Sequence, residues 1–78
     1  MNLENYNTAF TDTFGIDETA LNEELVYQSI TAWDSVGHMS LIAALEETFD
    51  IMMDTEDIID FSSYEKGKEI LKKYEIAI

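Results

Sequence analysis

The fold of this chain is decided by residues 33–50, which read WDSVGHMSLIAALEETFD. From Ser35 onward the stretch is rich in strong helix formers, and its apolar residues recur at the three- and four-residue spacing of an amphipathic helix. Asp34 or Ser35 can cap it, because a short side-chain oxygen at that position accepts a free backbone N–H. The stretch therefore predicts an α-helix from Ser35 to about Asp50.

Two apolar stripes run along this predicted helix. At about 100° per residue, His38 and four apolar residues lie on one side, which is expected to face the core. The apolar residues are Leu41, Ile42, Leu45 and Phe49. The other side is expected to face solvent and carries a second stripe, Val36, Met39 and Ala43, edged by Glu46, Glu47 and Asp50. Single exposed apolar residues are normal, but apolar contacts edged by acids suit the docking of a basic partner. We call these six residues the docking stripe.

The residues before this helix predict a first helix followed by a long loop. One helical stripe is formed by Leu3, Tyr6, Phe10 and Phe14. Asn2 is placed to cap this helix and Gly15 to end it. Residues 16–34 have no sustained period, and we expect a loop with short helical turns between 19 and 25. Its anchors to the core are expected to be Ile16, Leu21, Leu25, Val26 and Ile30.

The residues after it predict two more helices. A short helix is expected over 55–60. The last helix is expected to begin at Ser62, which has capping-box spacing to Glu65, and to continue through Tyr74. The pattern predicts a single all-α domain over residues 1–78: a four-helix bundle with a long loop between its first two helices and a short third helix.

Two further groups of residues lie between the predicted second and fourth helices. Met52 and Met53 are interpreted as core or near-core residues. Glu56, Asp57 and Asp60 are interpreted as a solvated face, because their spacing is not that of a calcium-binding loop.

The charge of the chain is strongly negative. Seventeen Asp and Glu stand against four Lys and no Arg, a net charge of −13, and all the cations lie between residues 66 and 73. Such a surface disfavours nucleic acid and anionic membranes as partners and attracts basic protein patches. There is no Cys, no leader-like pattern at the start, and no apolar run near the roughly 20 residues that span a bilayer. We expect a monomeric, cytoplasmic protein that does not insert into membranes.

Ser35 is the residue with the clearest chemical potential. A serine at a helix start presents its hydroxyl to solvent, and the helix dipole favours a phosphate attached there. Gly37 removes a side chain where another molecule would approach, although Ser35 could also serve only as a cap. A hydrolytic or metal site of Asp34, Ser35 and His38 is the rival, but no nucleophile elbow is present and His38 projects toward the core.

Residues 33–49 resemble the phosphopantetheine-attachment motif of the acyl carrier protein family. In that family an Asp-Ser pair opens the second helix, and the pair here is Asp34-Ser35. The run ALEETF at residues 44–49 is also similar to the family. Helix order, loop position and acidic balance extend the resemblance over the whole chain.

The resemblance implies a carrier of acyl or aminoacyl groups and no catalysis by the chain itself. The family's reactive thiol ends a 4′-phosphopantetheine arm, whose attachment point here would be Ser35, with Asp34 and Gly37 beside it. The implied partners are a phosphopantetheinyl transferase that uses coenzyme A and magnesium, an acyl- or aminoacyl-loading ligase, and downstream acyl transferases or synthases with basic docking patches.

The turn after the serine departs from the carriers of fatty acid synthases. Those typically have Leu after the serine and acids in the next turn, where this chain has Val36, Gly37 and Ser40. The departure favours a stand-alone carrier of a specialised pathway, such as polyketide, nonribosomal peptide, lipid or cell-surface glycan modification. The alternative function is an acidic helical interaction adaptor that uses the docking stripe and receives no arm.

Overall fold

The computed structural model describes residues 2–78 and shows, within that range, four α-helices and no β-strand. They are α1 (Asn2–Phe14), α2 (Ser35–Phe49), α3 (Thr55–Asp60) and α4 (Tyr64–Lys72), and a short 3₁₀ helix (Glu18–Ala20) lies in the first loop. The prediction of a small all-helical bundle with a long first loop and a short third helix is confirmed.

The core is built around the ring of Phe10 in α1. The rings of Tyr6, Trp33 and Tyr64 meet it edge-on at centroid distances of 5.0, 5.6 and 5.3 Å. Each such pair contributes about 0.5–1.5 kcal/mol beyond the area that it buries. Trp33, the residue before Asp34, is fully buried, although no sequence pattern predicted it.

The helix α1 buries three of the four residues in its predicted stripe, while Leu3 is 41% exposed. Asn2 does not precede the helix as a cap: it lies within the helix, and its side-chain amide donates to the carbonyl oxygen of Ala77 at 3.0 Å. Gly15 ends the helix as predicted. Its φ of +65° is a left-handed conformation that glycine adopts without steric cost.

The first loop is tied to the start of α4 by two backbone hydrogen bonds. The Tyr27 N–H donates to the Ser62 carbonyl at 2.8 Å, and the Tyr64 N–H donates to the Leu25 carbonyl at 2.9 Å. Leu25 is buried between them, as predicted for an anchor, but Val26 is 40% exposed and is not one. This tie brings the loop alongside the segment that joins α3 to α4.

The cap of α4 lies one residue later than predicted. Ser63, and not Ser62, is its cap, and its Oγ accepts the Lys66 N–H at 2.9 Å. The helix also ends earlier, at Lys72, before Tyr74. Gly67 lets α4 approach α1, because a Cβ there would lie 2.2 Å from both Phe61 Cζ and Tyr6 Oη.

The acids of α3 are not all solvated. Asp57 is only 4% exposed, which contradicts its interpretation as part of a solvated face. Its Oδ1 accepts from Lys73 Nζ at 2.5 Å and its Oδ2 from the Tyr74 hydroxyl at 2.6 Å. The pKa of Asp57 is lowered, mainly by these two hydrogen bonds. The residue therefore joins α3 to the end of α4.

Candidate functional site

Asp34 sets the start of α2. It has an extended backbone, and its Oδ1 accepts the Gly37 N–H at 2.8 Å while its carbonyl accepts the His38 N–H at 2.8 Å. Of the two predicted caps, Asp34 is the one that acts. The first N–H groups of a helix lack intrahelical carbonyls, so those of Ser35 and Val36 stay at the open end of a 15-residue helix.

Ser35 is the first residue of α2 and is exposed. Its Oγ lies 3.2 Å from the hydroxyl oxygen of Tyr27, and either atom can donate. Tyr27 is half-buried, and its ring lies edge-on to those of His38 and Trp33, with centroids 5.6 and 6.5 Å away. No sequence pattern predicted this contact, because Tyr27 lies in a loop without periodicity.

The reason for a glycine at position 37 differs from the one that the sequence suggested. A Cβ on Gly37 would lie 1.9 Å from the carbonyl oxygen of Ala32. The missing side chain therefore makes room for the backbone of the first loop. It does not primarily open an approach from solvent to Ser35.

His38 has both of its ring nitrogens occupied. The indole N–H of Trp33 donates to Nδ1 at 3.0 Å, which assigns the ring proton to Nε2. That Nε2–H then donates to the carbonyl oxygen of Ile58 at 2.8 Å. His38 thus joins the Trp33 segment to α3, and this geometry gives it no part in activating Ser35.

A small cavity lies beside Tyr27. Its volume is about 120 Å³, and it is lined by Tyr27, His38, Ile59, Phe61 and Ser62. Because Tyr27 also contacts the Ser35 hydroxyl, one side chain links the candidate attachment point to this cavity.

The docking stripe is largely exposed, as its pattern predicts. Val36 is 76% exposed and Met39 is 55% exposed. Ala43 and Glu47 are also exposed, and Asp50 is exposed at the C-terminal cap of α2 with a left-handed φ of +53°. The core side of the same helix buries Leu41, Ile42 and Leu45, and leaves Phe49 half-buried.

Glu46 differs from the rest of the docking stripe. It is half-buried, and its Oε2 accepts the Met53 N–H at 2.9 Å. Its carboxylate therefore holds the turn after α2 as well as adding charge to the surface. Met53 is buried, but Met52 is 86% exposed, so the placement of Met52 in or near the core is wrong.

Within residues 2–78, no three His, Cys, Asp or Glu side chains are grouped so that they could hold a metal ion. No helix of this range is both long and apolar enough to cross a bilayer. Comparison with known proteins yields no matching family model, no matching curated protein and no matching solved structure. The function of the chain is therefore inferred from its own residues and geometry.

Proposed function

We propose that this chain is an acyl carrier protein that carries acyl or aminoacyl groups as thioesters on a 4′-phosphopantetheine arm attached to Ser35. The observation that carries the proposal is the exposed Ser35 hydroxyl on the first residue of α2, at the head of an exposed stripe of apolar and acidic residues. The motif resemblance at residues 33–49 supports the same function and favours the family's four-helix fold.

The residues around Ser35 fit such an arm. A phosphodiester on this oxygen would lie beside the N–H groups of Ser35 and Val36, at the positive end of the α2 dipole. The carboxylate of Asp34 is already used by the Gly37 N–H, and the Tyr27 hydroxyl is close enough to donate. When bound, the arm would supply the thiol that this chain lacks, because the chain has no Cys.

Loading of the arm would use Ser35 as the nucleophile in another enzyme's active site. Its Oγ would form a bond to the phosphorus that bears pantetheine in coenzyme A. The bond from that phosphorus to adenosine bisphosphate would break, and the serine proton would pass to a base of the transferase. The exposed position of Ser35 suits this role, because the hydroxyl must reach a second protein.

The docking stripe is proposed to contact the transferase and the acyl-handling enzymes. Val36 and Met39 offer apolar contact next to the arm, and the net charge of −13 attracts basic patches. The absence of acids at positions 36, 37 and 40 supports a specialised pathway in preference to housekeeping fatty acid synthesis.

The cavity beside Tyr27 could shelter part of an acyl group. It measures about 120 Å³ and opens to solvent, so a longer chain could extend beyond it.

The proposal is tested by loading the purified protein with coenzyme A, magnesium and a broad-specificity phosphopantetheinyl transferase. Intact-protein mass spectrometry should show the gain of one phosphopantetheine. Ser35→Ala should abolish the gain, and Ser40→Ala, at an exposed serine of the same helix, should leave it unchanged. No gain with several transferases would exclude the carrier function.

An interaction adaptor without an arm is the second candidate, and the 76% exposure of Val36 is the observation that favours it. The two functions differ in what Ser35 does. An adaptor would bind its partners equally well as wild type and as Ser35→Ala, and it would remain unloaded by transferases.

A further inference from the structure

Tyr27 contacts both the candidate attachment point and the cavity. In the part of the chain that the structure describes, its phenol is the side-chain partner of Ser35 Oγ, at 3.2 Å. Its side chain also lines the cavity formed with Ile59, Phe61 and Ser62. The sequence motif assigns no role to this residue.

The position of Tyr27 is fixed by the loop on both sides of it. Its own N–H is bonded to the Ser62 carbonyl at 2.8 Å. The next residue, Gln28, has a left-handed φ of +69°, and its N–H donates to the Trp33 carbonyl at 3.0 Å. The loop thus closes back on the residues just before Ser35, and the phenol is held against the serine by backbone contacts.

Attachment of a group to Ser35 would determine which of the two hydroxyl groups donates in this hydrogen bond. In the free protein, either hydroxyl can donate to the other. Once Ser35 Oγ is esterified it has no hydrogen, so only the Tyr27 hydroxyl can donate. Its acceptor would then be an anionic phosphodiester, and hydrogen bonds to ionised acceptors are shorter and stronger than those between neutral groups.

We propose that Tyr27 is a positioning residue for the group on Ser35, a role that rests on the proposed carrier function. Its phenol holds the serine oxygen before loading and donates to the phosphodiester afterwards. The phenol would thus hold the phosphodiester on the side of Ser35 where Tyr27 also lines the cavity.

Tyr27→Phe is the direct test, because it removes the hydroxyl but keeps the ring that contacts Trp33 and His38. The matched control is Tyr64→Phe, which removes a phenol bonded to Asn7 in α1 and not to Ser35. Helix content by circular dichroism should be the same in both variants and in wild type. The transferase kcat should fall by about three- to tenfold for Tyr27→Phe, with KM for the carrier nearly unchanged.

The loaded proteins give a second measurement that does not depend on enzyme activity. The phosphorus-31 NMR signal of the phosphodiester should differ between Tyr27→Phe and wild type, while Tyr64→Phe should match wild type. Loading should shift the amide signals of Tyr27 and Ser62 in wild type and shift them less in Tyr27→Phe. Identical phosphorus signals and loading kinetics in all three proteins would overturn the role of Tyr27 but leave the carrier function standing. A wild-type protein that is never loaded would overturn both.

Discussion

The residues next to Ser35 have little freedom, because the backbone before the helix is packed against its first turn. Ala32 places its carbonyl oxygen where a side chain of residue 37 would begin. Trp33 is fully buried and donates to His38. These contacts fix the direction from which the chain enters α2 and leave the Ser35 hydroxyl at the surface.

Gly37→Ala is expected to destabilise the protein. Its Cβ would lie 1.9 Å from a backbone oxygen, which cannot rotate away as a flexible side chain could, so the loop or the first turn of α2 must move. Overpacking of this kind costs about 1–3 kcal/mol. The free energy of unfolding in urea measures the loss.

Ser40→Ala is the control for Gly37→Ala, since it adds no atoms at an exposed position of the same helix. Its stability should lie within about 0.5 kcal/mol of wild type. Equal stability of Gly37→Ala and Ser40→Ala would contradict this prediction, because it would show that the Ala32 segment moves away at no cost in free energy.

The sequence predicted the local contacts at this site and missed those that cross the loop. The sequence offered Asp34 and Ser35 as alternative caps three residues or fewer from the N–H groups that they could accept, and the structure shows that Asp34 is the cap. The Tyr27 contact with Ser35 depends on loop closure, and the bond from His38 to Ile58 spans 20 positions. Periodicity within one segment carries no information about such pairs.

At the scale of elements, α3 has only six residues and is held by its neighbours. His38 donates to the Ile58 carbonyl on one side, and on the other Asp57 accepts from Lys73 and Tyr74. The Asp54 N–H also donates to the Tyr74 hydroxyl at 2.9 Å. A helix this short is marginal alone, so these contacts determine its position.

Asp57→Asn should lower the free energy of unfolding at neutral pH. It should also make the free energy of unfolding less dependent on pH in the acidic range. The folded-state pKa of Asp57 is lowered by hydrogen bonds from Lys73 and Tyr74. A lowered pKa gives stability that is present above the unfolded value, about 3.9 for Asp, and is lost as the pH falls through the folded value. The difference in unfolding free energy between wild type and variant should therefore be largest near pH 7 and shrink below about pH 4.

The comparison with Asp57→Asn separates the effect of this one carboxylate from that of the many other acidic residues of the chain. Glu56→Gln is the control: Glu56 is an exposed acid in the same helix, and it should follow the wild-type pH profile. If the stability difference between wild type and Asp57→Asn stayed constant from neutral to strongly acidic pH, the role of the ionised carboxylate would be contradicted.

The elements themselves were largely predictable from the sequence. The sequence placed α2 and α3 close to their observed bounds, and the Asp34 cap explains where α2 starts. The start of α4 was misplaced because Ser62 and Ser63 are both competent caps, and the choice of Ser63 depends on the Ser62 carbonyl being bonded to Tyr27. Asp57 was missed because its partners follow α4, 16 and 17 positions away.

At the scale of the whole molecule, the dominant feature is the uneven distribution of charged residues along the chain. The acids are spread over the chain, whereas the four cations lie between residues 66 and 73. Two of the cations are paired: Lys73 with Asp57, and Lys68 with Glu65 at 3.5 Å. The charge follows from the composition, whereas the pairing of Lys73 with Asp57 is visible only in the structure.

Salt should therefore raise the melting temperature. The molecule measures 29 × 26 × 20 Å, so at about 0.01 M salt, where the screening length is about 30 Å, every carboxylate repels all the others. At about 0.15 M that length falls to about 8 Å, and only neighbouring acids still interact. Relief of 1 kcal/mol of repulsion raises the melting temperature of a domain this size by about 4–8 °C.

Calorimetry in 0.01 and 0.15 M sodium chloride, and with added magnesium, measures the shift. A variant with Glu23, Glu47 and Glu69 changed to Gln carries three fewer negative charges at exposed positions and should respond less. A melting temperature that ignored salt, or an equal response in the triple variant, would mean that self-repulsion does not limit the stability of this fold.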